Sequence, residues 1–311
     1  MSTELQTNHT NVVGRFAPSP TGEMHLGNVA AALLSWLSAK QQGGEWRLRI
    51  EDLDPQRSRQ EYADRLMRDL EWLGLTWDGD VLRQSERTDI YMQYLRQLHE
   101  HVYPCTCTRN EILAAQAPHE SDGRIVYPGT CRPKTNGVTV NSTQKAAIRL
   151  IVPDEDIVFH DRHYGPQAVN LARHCGDFIL RRSDGVFAYQ LAVVVDDALS
   201  GVTEVVRGRD LLLSAAQQIY LYRLLGFIPP NYAHHPLLVN GQGQRLCKRD
   251  QSLALSAMRE NSTAQEIIGR LAYTLGLISV PEPMPPEQLL NYFSWEKVPE
   301  QDVQLNDLEQ Y

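Results

Sequence analysis

No stretch of the 311-residue chain comes near the roughly 18 uninterrupted apolar residues that a membrane-spanning helix requires, although 42% of its residues are hydrophobic. On a chain of this length that share suffices for a substantial core, in one large domain with an insertion or in two smaller units. The opening MSTELQTNHTNVV has neither the basic start nor the apolar core of a signal peptide, so the expected location is the cytoplasm, with no membrane partner. Cysteine is scarce. Five residues, an odd number, argue against a disulfide framework and leave metal binding or inert burial. Positive charge is also in deficit: at a formal net charge of -8, any nucleic-acid partner has to be met by a local basic face. Internal repeats and low-complexity segments are absent.

What is present is an alternation of strand and helix signals. VVGRFAP reads as a strand stopped by Pro18 and Pro20, followed by a helix over 29–40 that Gly43 and Gly44 close. EWRLRIEDLD reads as the next strand. Ser58 and Glu61 have the spacing of a capping box, with Leu66, Leu70 and Leu73 at helical intervals behind them. The order predicts an α/β fold with a parallel sheet. Residues 102–145 break the rhythm and read as an insertion, dividing the sheet-forming domain into 12–101 and 146–255 and leaving 256–311 as a C-terminal helical segment. In GVFAYQLAVVVDDALSGVTEVVRG the apolar and β-branched runs predict two strands, followed by a long amphipathic helix in DLLLSAAQQIYLYRLLGF.

The chemistry concentrates in RFAPSPTGEMHLGN, residues 15–28, directly ahead of the first helix. A helix N-terminus presents unpaired N–H groups and the positive end of a dipole, and so suits phosphate. Gly22 and Gly27 permit close backbone approach, Asn28 is the expected N-cap, and His25 stands where a donor could meet phosphate oxygens.

This stretch resembles the signature of class I glutamyl-tRNA synthetases, in which Pro-Ser-Pro-Thr-Gly precedes a His-Ile-Gly-His box. The resemblance continues through RIEDLD, RSRQEYADRLMRDLEWLGLTWD, QSERTDIY, AYQLAVVVDDALSGVTEVVRGRDLL and RLCKR, over roughly residues 13–252. It implies a Rossmann-like catalytic domain that binds ATP, with Mg(2+), through His25, Gly27, Asn28, Arg245 and Lys248, of which His25 and Lys248 would be catalytic. It further implies a glutamate site of Arg15, Ala17, Ser19, Glu51, Tyr189 and Arg207. The donor set is chemically apt, since a ligand with two carboxylates and one ammonium calls for arginine forks and one acid. RLCKR stands where the family has Lys-Met-Ser-Lys-Ser: Lys248 matches the second lysine, Arg245 keeps the charge of the first, and Cys247 replaces a serine. Asp196 and Asp197 have no third acidic ligand nearby and are assigned to orienting other groups.

Within the insertion, Cys105, Cys107 and Cys131 could hold one structural zinc if a fourth donor closes the site; the resemblance points to Tyr127, while His119 is the commoner donor by chemistry. Cys175 and Cys247 fall outside the cluster. About sixty residues follow Lys248, where full synthetases of this family carry a large helical anticodon-binding region, so no such region is expected. The chain therefore most resembles the truncated branch of the family that transfers glutamate to queuosine in tRNA(Asp), and a monomer is expected. A truncated enzyme charging a conventional tRNA end, or a non-catalytic RNA- or glutamate-binding relative, would share much of the pattern.

Overall fold

Parallel pairing starts with the first two strands. In the computed structural model, which describes residues 11–108, 110–111, 126–133, 145–244 and 254–305, the chain opens with β1 (Val13–Phe16), α1 (Leu26–Gln41), β2 (Glu45–Ile50), α2 (Gln60–Trp72) and β3 (Leu82–Arg83). β1 pairs parallel with β2, and β2 parallel with β3. After α3 (Thr88–Gln97) come β4 (Val102–Cys105), β5 (Ala147–Leu150), the hairpin of β6 (Asp156–Asp161) and β7 (Gly165–Asn170), and β8 (Ile179–Arg181). β4, β5 and β8 form a separate antiparallel sheet at the foot of the cysteine-bearing segment. Then follow α4 (Tyr189–Leu199), β9 (Glu204–Gly208), α5 (Leu212–Leu224), β10 (Asn231–His235), β11 (Leu238–Val239), α6 (Ala264–Thr274) and β12 (Val303–Gln304). Among the described residues no helix is long and apolar enough to cross a membrane.

β10 pairs parallel with β9 and, at Tyr232, with β6, against which β7 runs antiparallel. β1 and β9 lie side by side in the same direction. Thr203 N–H donates to the Val13 carbonyl at 2.9 Å, and the Arg15 side chain reaches the Val206 carbonyl through Nη1 at 3.3 Å. Two sheets, ordered β3-β2-β1 and β9-β10-β6-β7, thus meet at β1 and β9. Two βαβ halves, one leading outward from β1 and the other from β9, diverge from this junction. In such sheets the carboxyl ends of the two diverging strands leave a crevice, where ligands bind.

Side chains alternate across the sheet, and the cores follow that alternation. Val205 and Tyr232 enter one buried cluster, while their neighbours Val206 and Ala233 enter the other, so apolar material covers both faces. α1 is buried along most of its length by Leu26, Val29, Leu33, Leu34, Trp36 and Leu37. Full burial of each such side chain stabilises by about 1.5–3 kcal/mol.

Three local expectations are corrected. α1 begins at Leu26, three residues earlier than its apolar pattern indicates, and its N-cap is His25; Asn28 is the N3 residue that reciprocates. α2 starts at Gln60, capped by Arg59 without a side-chain bond, so the Ser58–Glu61 capping box does not form. The Arg59 N–H instead donates to the Pro20 carbonyl. Of the two strands expected in GVFAYQLAVVVDDALSGVTEVVRG, only the second forms, as β9; AVVVDDA lies in α4, where Leu191 to Asp197 are all buried.

Candidate active site

The proline-rich stretch leaves β1 across the carboxyl ends of the strands, and its carbonyls tie that end of the sheet together. Proline has no N–H to satisfy but keeps a full acceptor. Pro18 accepts from Glu51 N–H at 3.0 Å and Pro20 from Arg59 N–H at 3.0 Å, while Met24 accepts from Leu255 N–H at 2.9 Å. The turn residues therefore fasten the exits of β1 and β2 and the start of α2 around one crevice. Ala17 is half-buried there, and Ser19 is exposed.

Beneath the crevice lies a buried charge cluster. Asp197, from α4, accepts from Arg49 of β2 in a short bond and from Arg15 Nε at 3.4 Å. Arg49 Nη2 also reaches Glu51 Oε1 at 3.2 Å. Burial raises the carboxyl pKa of Asp197, but the two guanidinium groups outweigh it and hold the group below the ordinary carboxylate range. For Glu51 burial wins over Arg49 and Arg15, and its pKa is raised. Of Asp197 and Glu51, Glu51 is thus the less fully compensated by the neighbouring arginines. Asp196 takes Arg87 Nε at 2.7 Å, Gln84 Nε2 at 2.8 Å and the Tyr91 hydroxyl at 2.8 Å, so both members of the acidic pair orient other side chains.

On the far side of β1, Arg207 projects from the end of β9, and its guanidinium is 3.4 Å from the Tyr189 hydroxyl. Nη1 also bonds Gln218 at 2.8 Å, Nη2 the Leu211 carbonyl at 3.2 Å, and Nε donates to His234 Nε2 at 3.0 Å. Arginine and acid thus gather at the ends of β1, β2 and β9, largely buried.

His25 closes the other end. Gly27 N–H donates to its Nδ1 at 3.1 Å and His25 N–H donates to Asn28 Oδ1 at 3.1 Å. Because Nδ1 accepts, the neutral ring carries its proton on Nε2. A Cβ at Gly27 would lie 3.0 Å from the ring, so glycine leaves the imidazole its seat. Arg245 and Lys248, with Cys247, lie outside the described residues, as does His119.

Cys105, Cys107 and Cys131 converge, their sulfurs all within 4.8 Å of one another. Cys107 Sγ is 3.4 Å from Cys131 Sγ, and the Tyr127 hydroxyl lies 3.4 Å from Cys105 Sγ and 3.7 Å from Cys107 Sγ. A tetrahedral zinc with bonds near 2.3 Å to sulfur needs ligand separations of roughly 3.8 Å, so these four donors fit one ion. Burial raises the Cys131 thiol pKa, but Thr106 N–H and the neighbouring thiols and phenol bring it down to about 7. Cys175 stays apart, yet its carbonyl accepts Tyr127 N–H at 3.1 Å. The next residue, Gly176, has φ +65°, and a Cβ there would sit 2.3 Å from the Tyr127 carbonyl oxygen. Gly176→Ala should therefore unseat the Tyr127 phenol; if zinc occupies the four donors, zinc-loaded variant protein should lose metal faster than wild type on dialysis against a mild chelator. Unchanged retention would show that Tyr127 is dispensable as a donor.

Sequence reasoning missed Arg49, Gln218, His234 and Asp161. Arg49 opens the RIEDLD stretch, but its bond to Asp197, 148 residues away, is visible only in the fold; Gln218, His234 and Asp161 lie in stretches without a local site pattern.

Residues 11–303 match the family described as tRNA synthetases class I (E and Q), catalytic domain. The chain is 51% identical over 252 residues to a Geobacter sulfurreducens protein named glutamyl-Q tRNA(Asp) synthetase, covering 80% of this chain and 79% of that one. It is 45% identical over 309 residues to a Symbiobacterium thermophilum protein of the same name, covering 94% and 95%. A crystal structure of a glutamate tRNA ligase from Elizabethkingia meningosepticum, in complex with its amino acid, is similar with a TM-score of 0.80 at 28% identity, covering 96% of this chain and 68% of that one.

Proposed function

Because the chain belongs to the glutamyl-Q tRNA(Asp) synthetases, ligases of the class I tRNA synthetase type, we propose that it activates L-glutamate with ATP and transfers it to queuosine in tRNA(Asp). The observation that supports the reading is that Arg15, Glu51, Tyr189 and Arg207 lie about the carboxyl ends of β1, β2 and β9, where the two sheets meet.

In this reading Glu51 takes the ammonium of the substrate, and Arg207 with Tyr189 takes a carboxylate, while Arg15, Ala17 and Ser19 line the site between them. An oxygen of the α-carboxylate attacks the α-phosphorus of ATP, the bond to pyrophosphate breaks, and glutamyl-adenylate forms. Magnesium accompanies ATP as part of the substrate. His25 Nε2–H and Lys248 stabilise the negative charge on the phosphate oxygens, with Gly27, Asn28 and Arg245 lining the nucleotide path. A hydroxyl of the queuosine cyclopentenediol then attacks the glutamyl carbonyl, gives up its proton, and releases AMP. Most of the acceleration in such a scheme comes from positioning and from charge stabilisation, because bond making and breaking need no covalent enzyme intermediate. Zinc would be held by Cys105, Cys107, Cys131 and Tyr127, away from these steps, where it supplies a structural cross-link.

Glutamate-dependent ATP–pyrophosphate exchange, followed by transfer to tRNA(Asp) with and without queuosine, tests the proposal. Exchange with queuosine-dependent transfer is expected. Transfer only to queuosine-free tRNA would point to a conventional acceptor, and a folded protein without exchange would overturn the reading.

A further inference from the structure

Arg207 is buried and nearly immobilised by its partners. Nε, Nη1 and Nη2 donate to His234, to Gln218 and Tyr189, and to the Leu211 carbonyl respectively, leaving one Nη2 N–H and the Tyr189 hydroxyl proton outside these bonds. The least replaceable of these partners is His234. Arginine can only donate, so His234 Nε2 must present its lone pair, and the ring proton must sit on Nδ1. That proton points at Asp161 Oδ2, 2.6 Å away. Asp161 is itself held by N–H groups of His163 at 3.0 Å, Tyr164 at 2.9 Å and His234 at 3.2 Å. Both His234 and Asp161 are 0% exposed. A buried carboxylate and imidazole cost desolvation, which the bonds to the backbone N–H groups and to Arg207 offset. A reversed tautomer would set two N–H donors against each other and turn the guanidinium away.

We propose that the Asp161–His234 pair positions Arg207 for substrate recognition: Asp161 fixes the imidazole tautomer, and His234 Nε2 holds the guanidinium plane that meets the substrate carboxylate. This rests on the assignment of Arg207 to the glutamate site. Neither residue touches substrate; they act through Arg207 as positioning residues, so their loss should register in glutamate binding and spare ATP.

The test measures KM for glutamate and for ATP separately in pyrophosphate exchange, together with glutamate binding by calorimetry, for wild type, His234→Ala, His234→Gln and Asp161→Asn. His234→Ala should raise KM for glutamate about 10–100-fold, the scale of a lost hydrogen bond to a charged group, with KM for ATP within about twofold. His234→Gln, whose Oε1 can still accept from Arg207 Nε, should recover most of that loss, and it remains informative if the alanine variant fails to fold. Asp161→Asn, which leaves the tautomer unfixed, should fall between them. Equal KM values for glutamate in wild type and the folded variants would overturn the inference alone. Equal impairment by alanine and glutamine, or a parallel loss in ATP and glutamate, would reduce the pair to packing and also overturn it. A wild-type protein that neither exchanges nor binds glutamate would overturn the functional reading, and this inference with it.

Discussion

Replacing Lys248 by alanine is expected to slow glutamyl-adenylate formation about 10²–10³-fold, the cost of one donor aimed at developing oxyanion charge. KM for glutamate should barely change, because the residue would act on the transition state and not on the bound amino acid. Thermal unfolding should stay within about 1 °C of wild type, since the proposed role is exerted on the transition state and not on the fold. Lys248 lies outside the described residues, which stop at Gln244 and resume at Ala254. The turn at Asn240–Gln244 follows β11, and Ala254 returns in a bridge with His25. Exchange at the wild-type rate in this variant would sink the assignment of the segment.

The order of strands and helices in the first half was legible because turn signals punctuate it: Pro18 and Pro20 end β1, and Gly43 and Gly44 separate α1 from β2. AVVVDDA was misread because a run that is apolar on every side carries no periodicity, and β-branched residues tilt such a run toward strand. Burial on all sides of α4 overrides that propensity. The Ser58–Glu61 box failed for another tertiary reason: the chain entering α2 is fixed by Arg59 N–H on the Pro20 carbonyl, not by a local cap. His25 illustrates the reverse, a residue singled out for chemistry that also caps α1, so the same imidazole orders the helix start and has its tautomer set by it. The groups that hold the proposed site in shape were illegible. Arg49, Asp161 and His234 sit in strands, where a charged residue signals an exposed face; only the fold reveals them as buried, with Arg49 on Asp197 and His234 on Asp161.

Asp197→Asn should be the most destabilising single change in the crevice. The substitution keeps the shape but leaves Arg15 buried without its carboxylate and Arg49 with Glu51 alone. Removing one partner of a buried charge pair costs about 3–5 kcal/mol, which for a chain of this size lowers the unfolding midpoint by roughly 5–15 °C. The pH dependence has a definite sign. Asp197 has a folded pKa below its unfolded value near 3.9, so its contribution is fully present above about pH 4 and disappears as pH falls through the depressed folded value. Wild type and variant should therefore differ by a constant amount between about pH 5 and 8 and converge in acid. Denaturant titrations of both proteins across that range measure the difference. A gap that persists undiminished well below the depressed value would mean that the loss comes from packing of the amide, not from the missing charge. A gap near zero at neutral pH would mean that water reaches Arg15 and Arg49 and that the cluster is not the buried anchor of the crevice.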